Sequence, residues 1–394
     1  LKNVVQEPGP DEAQARFLLA KALRETEDYG AAEIEIRKAK SQGLQGGEVT
    51  LELLSLMAES SQFNNLVEEA KQYKGQDKVT RALVYAMMCE AYIALAKSTE
   101  ASDACKEAVA LDPTHPKVKF AQGYLADSRG DLAAAASFVE ESLKGSPDDP
   151  SILFYAAILR EATGKTSDAI PLLERVMVMR PTSPRAYMVA IPIYLRSGDT
   201  AKARTATNRL NDATKKRGPY GSYLLALVDL AEGQREIARE NVQSSLKAFP
   251  TFGPALALAG KIELELGNHQ QAQAQLLKAL EANPKNSYAR KLLATSYIRA
   301  GASDKAKEHL ETLTRENPTD ADAWRLLGEW ESGLGRYPAA LAAFEKSRQI
   351  NPADKQARVK SAQVKLLAGD SASAITELDA IVKSNTNDDS LQAE

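Results

Sequence analysis

Prolines recur along this chain at Pro113, Pro147, Pro181, Pro250, Pro284, Pro318 and Pro352, with gaps of 34, 34, 69, 34, 34 and 34 residues. The long gap is two periods plus one inserted residue. Alanines keep the same beat at Ala32, Ala101, Ala135, Ala169, Ala203, Ala238, Ala272, Ala306, Ala340 and Ala374; in the second period Leu66 takes the place. Glycines follow in phase at Gly130, Gly164, Gly198, Gly233, Gly267, Gly301, Gly335 and Gly369. Three interleaved series with one period restrict the chain to stacked copies of a single small unit.

Each series has a physical role. About fourteen residues with apolar positions at helical spacing run from proline to glycine, as in "DADAWRLLGEWESGLG". The glycine lets the backbone turn tightly where that first helix ends. A second helix follows, as in "RYPAALAAFEKSRQINP", and its small alanine lets the two helices approach closely. Asn-Pro or Asp-Pro then stops it, because proline cannot continue a helix and biases its predecessor away from one. The unit is a helix–turn–helix hairpin, and the fold class is all-α.

This spacing and residue set resembles the tetratricopeptide repeat, best seen from Ala321. There Trp324, Leu327, Gly328, Ala340, Phe344 and Pro352 match the family pattern, while Glu331 and Ser347 depart from it. Eleven repeats start near residues 13, 47, 82, 116, 150, 184, 219, 253, 287, 321 and 355. Residues 13–218 hold repeats 1–6 and residues 219–388 hold repeats 7–11. Residues 1–12, "LKNVVQEPGP" included, read as the end of a preceding second helix, with Pro10 at the periodic proline. Residues 389–394 read as a tail or, from Asp388, as the start of a further first helix. With these ends the chain reads as a piece of a longer array, whose targeting signals lie outside it. Repeats one to three lack the turn glycine and carry Glu27, Ser61 and Ala96 instead; the eleventh has Arg358 and Ser361 at apolar positions.

Chemistry is hard to find. His115, His269 and His309 sit at three different phases of the repeat, none within zinc-ligand spacing of another, and read as surface residues. "GLGRYP" at Gly333 follows a helix rather than the strand a nucleotide loop requires. Nucleophile-elbow, zincin and phosphate-loop motifs are absent. The expectation is a protein that is not an enzyme and takes no cofactor or metal. With 50 Lys+Arg against 53 Asp+Glu, the net charge of −3 argues against nucleic acid as a partner. No apolar run is long enough for a transmembrane segment. Cys89 and Cys105 both face the interior of the third hairpin, either as two buried free thiols or as a disulfide.

The tetratricopeptide resemblance implies a right-handed superhelical solenoid whose first helices line a concave groove, with repeat positions 2, 5, 9 and 12 pointing into it. Those positions hold Phe120, Tyr124, Phe154, Met188, Tyr220, Tyr223, Lys261, Tyr288, Lys291 and Arg325, a groove for protein or peptide partners that is aromatic in its middle and adds cations toward the C-terminus. The alternative is that the aromatics fill gaps between neighbouring first helices. The Lys and Asn pair with which some family members clamp a terminal carboxylate has no match. Pro192, inside the sixth first helix, and the extra residue near "NDATKKRGP" mark an expected bend between residues 184 and 221.

Finer wording points further. "DEAQARFLLAKALRETEDYGAAEIEIRKAKSQG", "LLKALEANPKNSYARKLLATSYIRAG" and "ALALAGKIELELGN" resemble the tetratricopeptide lipoproteins of bacterial exosortase/PEP-CTERM systems, associated with exopolysaccharide synthesis and export. That resemblance implies a periplasmic, outer-membrane-associated scaffold with a lipid anchor outside this sequence. The alternatives are a subunit of another polysaccharide exporter, such as the cellulose-export type, or a substrate-docking array of a larger cytoplasmic enzyme.

Overall fold

In the computed structural model, residues 11–215 and 218–390 are described, with side chains to 382. They form 22 α-helices and no strand. The first helices of successive hairpins are α1 (Glu12–Glu25), α3 (Gly47–Glu59), α5 (Lys78–Ala94), α7 (Pro116–Ser128), α9 (Pro150–Ala162), α11 (Pro184–Arg196), α13 (Pro219–Ala231), α15 (Gly253–Glu265), α17 (Ser287–Arg299), α19 (Ala321–Gly333) and α21 (Lys355–Leu367). Their partners are α2 (Tyr29–Ser41), α4 (Phe63–Lys71), α6 (Ser98–Leu111), α8 (Leu132–Gly145), α10 (Thr166–Met179), α12 (Thr200–Ala213), α14 (Arg235–Ala248), α16 (His269–Ala282), α18 (Ser303–Glu316), α20 (Tyr337–Ile350) and α22 (Ser371–Ser390). The chain divides into two compact units, Leu1–Arg217 and Gly218–Glu394. The architecture is an α-helical solenoid of eleven hairpins.

Nine of the eleven first helices begin at the residue the period expects. α5 is the main exception, starting at Lys78 rather than 82, because the Asp77 carboxylate accepts the Thr80 N–H and caps a longer helix. α22 continues to Ser390 across the expected boundary at 388. Residues 1–10 and 391–394 fall outside the described residues, and with them "LKNVVQEPGP" and most of "DDSLQAE". Pro192 sits within α11, which runs on to Arg196; lacking an N–H, it leaves the Met188 carbonyl without its helical donor. The extra residue of the sixth period lies in the loop 214–218, of which Lys216 and Arg217 are outside the described residues.

First helices end in a common way: the residue after the turn donates its N–H five residues back, as in Asp131 to Ala126 O and Lys97 to Tyr92 O. This needs a left-handed residue in between. Eight repeats put glycine there, with φ from 70° to 87°, whereas Glu27, Ser61 and Ala96 hold φ of 60°, 60° and 57°. An L-residue is strained in that region by about 1–2 kcal/mol. Part of the relief on changing to glycine is lost to unfolded-chain entropy. Ser61→Gly and Ala96→Gly are therefore expected to stabilise unit 1 by about 0.5 kcal/mol or more each. Urea unfolding followed by circular dichroism checks this; a midpoint that falls would show that the turn is not strained.

The hairpins pack through two interlocking positions. The periodic alanines are wholly buried, from Ala32 to Ala374. At the eighth residue of a repeat and at the twenty-fourth, side-chain sizes are complementary. Gly123, Gly260 and Gly328 on first helices oppose Val139, Leu276 and Phe344 on second helices: a Cβ built on each glycine would lie 2.7, 2.4 and 2.8 Å from those side chains. Ala157, Ala226 and Ala294 stand at the same place opposite Leu173, Val242 and Leu310, all buried. Repeat 2 reverses the sizes with Leu54 and Ala70, and repeat 6 shifts bulk the same way with Ile191 and Thr207. Ser347, the departure noted in the tenth repeat, is fully buried with no hydrogen-bond partner for its Oγ.

Candidate functional site

In unit 1, first helices α5, α7 and α9 line a pocket of about 410 Å³. Its aromatic wall follows from helical spacing: positions 5 and 9 of one repeat lie one turn apart on the same face. Phe120 and Tyr124 stack with centroids 6.4 Å apart, and Tyr155 of α9 stands edge-on to both at 5.4 and 5.1 Å. The Tyr155 hydroxyl donates to Asp127, which with burial pushes its phenol well above the usual range. Phe154 lies beside it under the Arg185 guanidinium, 5.1 Å from the ring centroid. Burial pushes the Glu90 carboxyl of α5 up to about 7, with Lys117 opposing and Asp149 reinforcing the shift.

The pocket is closed on one side by charges far apart in sequence. Arg180, just beyond α10, reaches Glu59 at the end of α3 at 3.5 Å and Glu25 of α1 at 4.0 Å. Glu59 also takes Arg24, which is shared with Glu52. The Nε of Arg180 is buried without a partner.

In unit 2 the aromatics gather on a residue that periodicity did not single out. Tyr220 and Tyr223 stand edge-on to Phe252, with centroids 5.3 and 5.2 Å from it, and Phe249 stacks on Phe252 at 5.8 Å. Burial pushes the Tyr223 phenol up to about 12. Phe249 and Tyr288 stay largely open, at 41% and 49% exposure, so this cluster has a packed centre and an exposed rim.

The ten predicted groove residues thus have different surroundings. Phe120, Tyr124 and Phe154 share the unit 1 pocket, whereas Met188 lies half-buried on α11 outside its lining. Tyr220 and Tyr223 pack against the following repeat. Lys261 is half-buried with no ion pair among the described residues. Lys291 and Arg325, expected as groove cations, are neutralised by neighbours: Lys291 pairs with Asp320 at 3.0 Å and Asp322 at 3.6 Å. Arg325 pairs with Asp322, Glu329 and Asp354. Asp320 and Asp354 are also the N-caps of α19 and α21, so each cation ties its helix to the start of the next first helix.

Cys89 and Cys105 are buried free thiols in mutual contact. Hydrogen bonding between them lowers the Cys105 thiol and, with burial, raises Cys89. The histidines are half-buried rather than fully solvated. His115 caps α7 by accepting the Lys117 N–H, and His309 stacks on Tyr297 at 5.6 Å. Among the described residues no group of three or more His, Cys, Asp or Glu side chains is placed to hold a metal ion, and no helix is long and apolar enough to cross a membrane.

Stacked hairpins of this sort define a helical-repeat protein of the kind that binds other proteins. Family models described as tetratricopeptide repeat match residues 87–150, 223–287, 263–329 and 333–393, together more than half of the sequence. The chain belongs to the tetratricopeptide repeat family. Its fold is similar to that in the crystal structure of the APC/C hetero-tetramer Cut9-Hcn1, with TM-score 0.53 and 16% identity over 96% of this chain and 81% of that one. It is also similar to a tetratricopeptide repeat protein from Parabacteroides merdae ATCC 43184, with TM-score 0.50 and 15% identity over 64% of this chain and 98% of that one. No curated protein matches the sequence.

Proposed function

We propose that the chain is a non-catalytic scaffold that holds protein or peptide partners against its first helices, within an assembly for exopolysaccharide synthesis or export in a bacterial envelope. The observation that carries the scaffold reading is the unit 1 pocket, where Phe120, Tyr124 and Phe154 form an aromatic wall in a cavity that charged side chains also line. Large aromatics in such a setting are the residues around which interface energy concentrates. The export setting, a periplasmic location and a lipid anchor outside the sequence rest on the resemblance of its repeats to the exosortase-system lipoproteins.

Photo-crosslinking in cells tests both parts, from position 223 on α13 and from exposed position 308 on α18 as a control. The expected result is capture of envelope or polysaccharide-export proteins from 223 and none from 308. Capture of the subunits of a cytoplasmic enzyme would replace the export setting with a docking role. If 308 captures partners and 223 captures nothing, the aromatics serve packing and the groove assignment fails.

A further inference from the structure

Resting on that groove reading, we infer that the unit 1 pocket holds a subsite for one cationic side chain, a lysine or arginine of the partner, seated between Glu90 and the Phe120, Tyr124 and Tyr155 rings. The Glu90 side chain lines the pocket yet makes no hydrogen bond or ion pair among the described residues. Cations nearby are committed elsewhere. Lys117 pairs with Asp149 at 2.8 Å and lies over Phe120, Arg180 pairs with Glu59 and Glu25, and Arg185 lies over Phe154. Glu27, also in the lining, has no ion-pair partner among the described residues either, so these two carboxylates outnumber Arg185, a lining cation outside any ion pair, and the unpaired charge facing the cavity is net negative. A half-buried carboxylate without a partner loses hydration uncompensated unless something arrives to pair with it. The rings supply the other half of the recognition, because a desolvated cation is attracted to aromatic faces. A carboxylate plus three rings is a chemistry that takes an ammonium or guanidinium group and rejects an anion.

The acid's setting agrees with this. The groups facing Glu90 are Lys117, Asp149, Tyr124, Tyr155 and the two thiols of Cys89 and Cys105. None neutralises it, and burial holds it near 7. An incoming cation would restore its ionised form.

The test is selection of random linear peptides on the full chain, with Phe154→Ala as counter-selection, so that only groove-dependent peptides survive. These peptides are expected to share one Lys or Arg, whose replacement by norleucine weakens binding by about 30-fold. In Glu90→Gln the parent peptide should lose a similar factor, and the norleucine replacement should then change affinity by roughly 2-fold or less, since the pair is already broken. A thermal melt of Glu90→Gln confirms that it is folded. Groove-dependent peptides without a shared cation, or with a cation indifferent to Glu90→Gln, overturn the subsite and leave the groove reading standing. If no peptide depends on Phe154, both readings fall.

Discussion

Phe344→Ala is expected to destabilise unit 2 by about 4 kcal/mol, the usual range for removing a fully buried aromatic ring. Phe344 is wholly buried on α20, and Gly328 lies under its ring. The complementary change, Gly328→Leu, should cost about 3 kcal/mol alone, because a Cβ there already falls 2.8 Å from the ring. Combined, the two should recover more than half of the summed loss, since leucine then occupies the space that phenylalanine vacates. Both tryptophans, Trp324 and Trp330, lie on α19 in the same hairpin, so their fluorescence during urea unfolding reads this repeat directly. Additive losses in the double variant would mean that the two positions do not share one volume.

The second large effect is at Glu90. Glu90→Gln is expected to raise unit 1 stability by about 3 kcal/mol at roughly pH 8 and by nearly nothing at roughly pH 4. In the unfolded chain the group titrates near 4.5; in the fold, burial moves it up to about 7. Below 4.5 both states hold the proton and the site is neutral. As pH rises from 4.5 to 7 the unfolded state ionises while the folded one keeps its proton, so folding weakens; above 7 the full penalty remains. Denaturation of the wild type and variant across this range measures it. A difference that does not change with pH would show that the carboxylate is not buried as described. A residue that weakens the fold and whose removal also abolishes cation-dependent binding would be one retained for binding.

The periodic series made most of the fold readable, because proline, alanine and glycine each act locally: one stops a helix, one permits close approach, one turns the chain. The strained turns at Glu27, Ser61 and Ala96 were equally legible, as gaps in the glycine series. The site was legible only in part. Positions 5 and 9 pointed to Phe120, Tyr124 and Phe154, but Tyr155 and Phe252 fall at other phases of the repeat. Arg180 meets Glu59 across 121 residues, a contact that no local spacing encodes. The pairing of Lys291 and Arg325 did leave a signal: each has an N-cap aspartate 29 residues later, at Asp320 and Asp354. The cations therefore belong to the joints between repeats.

The reversed sizes in repeats 2 and 6 bear on how such a chain avoids confusing its own parts. Eleven hairpins of similar sequence offer each newly made first helix many wrong partners. A helix carrying Leu54 fits a partner with Ala70 and collides with one carrying Leu276 or Phe344. Gly328 set against Ala70 leaves a void. Steric identity of this kind discriminates between repeats without any charge.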